Sequence, residues 1–140
     1  MNDAAHTDAA VTPIVRTERL DEAMGFAIDA LQDARHMLES LEAVGVFSCA
    51  SVDVVLRSLR AVVNHISCAE SCETEEDFLA NAHLAKAESK TLCLAIFSAI
   101  QVVKARGKKN EAKLLEVLRD LRSESRYLDG DIQDMLREAV

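Results

Sequence analysis

Three small groups of residues have types and spacings that chemistry can use. The first is His83-Leu84-Ala85-Lys86-Ala87-Glu88-Ser89. A lysine one helical turn after a histidine puts a cation beside the imidazole, which offsets charge if the ring carries a phosphoryl group. His83 lies about 180° around a helix from Leu92, so it should face solvent, with Lys86 and Lys90 on its side. The second group is Arg60-Ala61-Val62-Val63-Asn64-His65. Arginine and histidine converging on one phosphate form a general acid–base pair for RNA cleavage. Five residues apart on a continuous helix, these two point about 140° apart. The third group is His65, Cys68 and Cys72, with Cys49 in a neighbouring connection as a fourth candidate. Steps of three and four place the first three on one helical face, where zinc would need a fourth ligand or a water. Strong zinc signatures come as two paired knuckles, and this is one face of one helix. The expectation is therefore no metal and free thiols. No paired-carboxylate pattern, glycine-rich phosphate loop or Ser-His-Asp ordering stands out, and no cofactor is expected.

The stretch from His83 to Ser89 resembles the histidine-phosphotransfer domains of bacterial phosphorelays. Those are four-helix bundles with His-x-x-Lys-Gly and small residues on an exposed helix face. The resemblance covers residues 74–136 in general plan. It implies phosphoryl acceptance at His83 with Lys86 as electrostatic partner. Ala87 stands where that family has glycine, and the family's second glycine further along is absent. The stretch from Arg60 to His65 is similar to the Arg-x4-His of HEPN ribonucleases, also small helical bundles. Alanine follows Arg60 where that family has a polar residue.

Any of these groups must be positioned by helices. Leu20, Met24, Ala27, Leu31, Ala34, Leu38 and Leu41 alternate steps of four and three. Phe78, Ala82, Ala85, Ser89, Leu92, Ile96, Ala99 and Val103 repeat the rhythm. Such spacing lines one side of an α-helix, so each stretch must bury a stripe. Thr17 is an N-cap for the first helix, which runs to about Val44 with Gly45 at its C-terminal cap. Ser51 can cap a second helix, which buries Val55, Leu56, Leu59, Val62, Val63 and Ile66. Ser67 to Glu73 reads as a connection. Thr74, with Asp77 three residues on, starts the third helix, which ends at Gly107. Asn110 caps the fourth, whose face is Leu114, Val117, Leu118, Leu121, Leu128, Ile132, Met135 and Leu136. That face keeps one phase through Gly130, which predicts a continuous or kinked helix over a short fifth one.

The expected fold is all-α: an antiparallel up-down four-helix bundle made of two hairpins, over residues 17–140. Residues 1–16, small and polar with Pro13, read as a flexible tail. One proline and four glycines in 140 residues leave little turn chemistry for a many-stranded β fold. With no tryptophan and one tyrosine, platforms for stacking bases are nearly absent. The net charge of −8 repels a nucleic-acid backbone, so direct nucleic-acid binding is not expected. The basic run Lys104, Arg106, Lys108, Lys109 and Lys113 reads as helix-end dipole compensation. No apolar run is long enough to span a membrane, and the opening residues lack a secretory pattern. A cytoplasmic protein with reduced cysteines is expected.

What the seams leave over points toward function. Between Leu92 and Val103 ten of twelve residues are apolar, more circumference than a four-helix bundle requires. Leu94, Phe97 and Val102, with Phe26 and Met37 on the first helix, are the expected interaction residues. The reading is a non-enzymatic protein–protein interaction module: an adaptor, inhibitor or regulatory subunit using an apolar helix face and an acidic surface. A homodimer is the commonest way to bury such a face. The alternative is a phosphorelay protein using His83.

Overall fold

The computed structural model describes residues 18–45 and 50–139. They form four helices: α1 (Glu18–Ala43), α2 (Ala50–Glu70), α3 (Glu75–Arg106) and α4 (Ala112–Ala139). The expected Thr17 cap, the tail at 1–16 and Cys49 lie outside the described residues. Each helix packs on two neighbours, α1 on α2 and α4, and α3 on α2 and α4, which closes a four-member ring around one core. The α2–α3 contact is the most extensive and the α1–α2 contact the least. Consecutive helices run antiparallel. The ring closes where Arg19 at the start of α1 donates to the carbonyl oxygen of Arg137 at the end of α4.

Local chemistry sets the helix ends. Thr74 is extended, and its hydroxyl accepts from the backbone N–H of Asp77 at 3.1 Å. The acids Glu75, Glu76 and Asp77 then sit where the helix dipole favours negative charge. At the other end Lys104 and Arg106 occupy the last turn, and Gly107 adopts φ 62°, a left-handed conformation that closes the helix. Three boundaries differ from expectation. Ser51 does not cap α2 but lies within it, one residue after its start at Ala50. Helix α2 continues to Glu70, so Cys68 lies within it. Asn110 does not cap α4: a 3-10 turn over Lys109–Glu111 leads directly into Ala112.

All eight residues of the α3 seam are buried. The α4 face is buried as expected except Val117, which is half-buried, and α4 runs unbroken through Gly130. The α1 face is rotated. Ala23, Ala30 and Met37 are fully buried, whereas Met24 and Leu38 are half-buried. Met37 was expected on the interaction surface; it is instead one of the largest fully buried side chains. Phe26, expected beside it, is half-buried and packs against the core. The physical reason is that α1 wedges between α2 and α4. Its small Ala23, Ala27, Ala30 and Ala34 let the backbones approach, and Met37 fills the space between.

Candidate functional site

The apolar excess on α3 divides into two parts. Leu92, Ala95, Ile96, Ala99, Ile100 and Val103 are buried. Leu94 is 70% exposed, Phe97 44% and Val102 39%. These three stand on a stretch with no charged residue between Lys90 and Lys104. Beside Leu94 a cleft of about 350 Å³ opens between α2 and α3, with Val54, Leu94 and Ala95 on its walls.

Phe97 borders α4. The Arg122 guanidinium lies over its ring, 5.1 Å from the centroid. Arg119, Arg122 and Arg126, with Ser123, line a cleft of about 440 Å³. The opposite flank of α4 is acidic. Glu124 and Asp131 share a cleft of about 250 Å³ with Asp33 and His36 of α1. Partial burial, with the carboxyls of Asp33 and Asp29 nearby, pushes the Asp131 carboxyl up to about 6. At the end of the same seam Glu138 faces Glu22 and raises its carboxyl too. Helix α4 thus separates an arginine row from an acidic groove. Sequence reasoning missed both features, because their membership depends on which flank of α4 each neighbour covers.

His83 is exposed, as its angular position requires. Lys86 is not free beside it. Its ammonium donates to both Asp129 carboxylate oxygens at 2.9 Å, and Ser89 donates to the same carboxylate. Burial opposes ionisation of Asp129, but the Ser89 hydrogen bond and the Lys86 ammonium outweigh it and hold the carboxyl below its usual range. Arg60 is engaged with Glu42 at 2.7 Å, while His65, five residues on, is half-buried. Cys68 is exposed and Cys72 half-buried; the Cys72 thiol donates to the Cys68 carbonyl at 2.8 Å. Burial raises the Cys72 thiol, against a hydrogen bond from Asn81. Among the described residues no group of three or more His, Cys, Asp or Glu side chains is arranged to hold a metal ion. None of the described helices is long and apolar enough to cross a membrane.

Compared with known proteins, the chain matches no family model, no curated protein and no solved structure.

Proposed function

We propose that this protein is a non-enzymatic interaction module, acting as an adaptor, inhibitor or regulatory subunit in the cytoplasm, and that it docks a protein partner on the outer face of α3. The observation that carries this reading is the exposure of Leu94, Phe97 and Val102 along an uncharged length of helix. Fully burying an exposed large apolar side chain contributes about 1.5–3 kcal/mol, so Leu94 and Phe97, one turn apart, offer part of that as an unused driving force, with Val102 on the flank beyond Leu94. The acidic α1–α4 seam lies on the opposite flank of α4 from this face.

The test is a charge placed on the exposed side chains. Leu94→Glu and Phe97→Glu are expected to abolish partner capture or self-association in solution while leaving the unfolding midpoint close to wild type. If either change simply unfolds a monomer, the face was core and the reading fails. The phosphotransfer alternative retains one supporting observation, the exposed imidazole of His83. Its test is phosphoryl transfer from a phosphorylated response regulator; a folded chain that accepts no label removes it.

A further inference from the structure

The three arginines on α4 stand at positions i, i+3 and i+7, so they form one row about 10 Å long. Among the described residues none of them lies within ion-pair distance of a carboxylate. That is unexpected in a chain with 24 acidic and 16 basic residues. Their helical neighbours explain it. Asp129, one turn after Arg126, is held by Lys86. Glu116, one turn before Arg119, lies 3.7 Å from Lys113. The two carboxylates one helical turn from the row thus lie beside lysines, Glu116 in an exposed pair, while Asp120 and Glu124 fall on other sides of the helix. Arg122 is further oriented by the Phe97 ring, and Phe97 is also the edge of the uncharged α3 face. An unneutralised cationic row and an exposed apolar strip therefore meet along one line.

We infer that this joint surface receives an acidic amphipathic helix of a partner protein. Its apolar edge covers Leu94 and Phe97, and its carboxylates face Arg119, Arg122 and Arg126. The inference rests on the docking reading above and adds the partner's chemistry. Charge complementarity selects the occupant. Glutamates or aspartates at helical spacing recur at the rise of the arginine row, and guanidinium forks bind carboxylates bidentately. A phosphate ligand would use the arginines and leave the apolar strip uncovered. At physiological salt the screening length is about 8 Å, so the row rather than the net charge sets the field a docked group feels.

The full chain, isotope-labelled, is titrated with a helical peptide carrying leucines at three- and four-residue steps and glutamates on the flanks. Parallel arms use the same peptide with glutamine for glutamate, inorganic pyrophosphate, and an oligothymidine. The expected result is binding of the glutamate peptide, with amide shifts at Leu94, Phe97 and the arginine row. Binding should weaken about tenfold in high salt, and likewise when all three arginines become glutamine. Equal binding of both peptides, unaffected by the arginine changes, overturns this inference and leaves the docking reading standing. Binding of neither peptide overturns both. Binding of pyrophosphate or oligothymidine at the row, without the peptide, overturns it in favour of a phosphate ligand. A sedimenting dimer lost in Leu94→Glu overturns it in favour of a second copy.

Discussion

Lys86 and Asp129 join α3 to α4 through two 2.9 Å hydrogen bonds, across 43 positions of sequence. Their side chains are 17% and 31% exposed, and Ser89 adds a third donor to the same carboxylate. The lysine that the phosphotransfer resemblance assigns to a phosphoryl group is therefore a packing element of the bundle. Lys86→Met should leave Asp129 with the Ser89 hydrogen bond but without its ion-pair partner and cost about 1–2 kcal/mol in urea unfolding. The pH profile gives an independent check. A carboxyl held below its ordinary value stabilises the fold above the unfolded value, and that contribution disappears as pH falls through the folded one. Lys86→Met should lose most of this dependence on the acid limb.

The facing carboxyls of Asp33 and Asp131 predict the opposite sign. A carboxyl raised from 3.8 to about 6 binds a proton more readily in the folded state. Its stabilising contribution is complete below 3.8 and is lost as pH rises through about 6. Asp131→Asn removes the like-charge cost and supplies a donor for Asp33. It should raise stability at pH 7.5 by roughly 0.5–1 kcal/mol, the scale of solvent-screened pairs, and by little at acid pH. Thermal melts at both pH values measure the difference. An equal gain at both would show that the pair does not titrate as a unit.

Met37 shows where the sequence was legible and where it was not. The α3 stripe was readable because Phe78, Leu92, Ile96 and Val103 keep one helical phase along a single line, and all eight positions are buried. On α1, alanines make up half of the buried face, and periodicity does not separate a buried alanine from an exposed one. The face was therefore set by Met24 and Leu38, and Met37 was left over. The exposed trio Leu94, Phe97 and Val102 was found because too much apolar surface on one helix is a local property. The arginine row and the Lys86–Asp129 link are non-local, and spacing within one helix carries no sign of them. Met37→Ala should cost about 2–5 kcal/mol, as for a fully buried large side chain. Phe26→Ala should cost less, since Phe26 is half-buried. A similar cost at both positions in denaturant melts would place them on equal footing in the core.

Gly25 and Gly130 lie inside helices with ordinary helical backbone, and an added Cβ at either meets nothing within 4 Å. Both are exposed. Gly25→Ala and Gly130→Ala should each stabilise by about 0.5–1 kcal/mol, by reducing the freedom of the unfolded chain. Gly107→Ala should destabilise despite equally open space, because its φ of 62° disfavours any side chain. Unfolding midpoints of the three variants separate backbone conformation from packing. A gain at Gly107 would contradict the left-handed helix end.

Glu111 is the one described residue whose buried side-chain oxygen lacks a hydrogen-bond partner. It is 3% exposed, with Oε1 unpaired and Oε2 3.4 Å from the Arg106 guanidinium. Val103, Ala112 and Leu115 share its cleft at the turn between α3 and α4. The carboxylate has given up water for one ion pair, with Lys104 and Lys108 lining the same cleft, and removing water from a charge is costly unless its pairing is close. Glu111→Met, close in volume and matched to those apolar neighbours, should be neutral or stabilising by about 1 kcal/mol. Arg106→Ala removes the ion-pair partner of the buried carboxylate and should destabilise by about 1–3 kcal/mol. The double variant decides the interpretation. If the cost of Arg106→Ala arises from stranding the carboxylate, it vanishes when Glu111 is already methionine. If that cost persists in the double variant, Arg106 acts through packing of its aliphatic stem and the Glu111 charge is incidental.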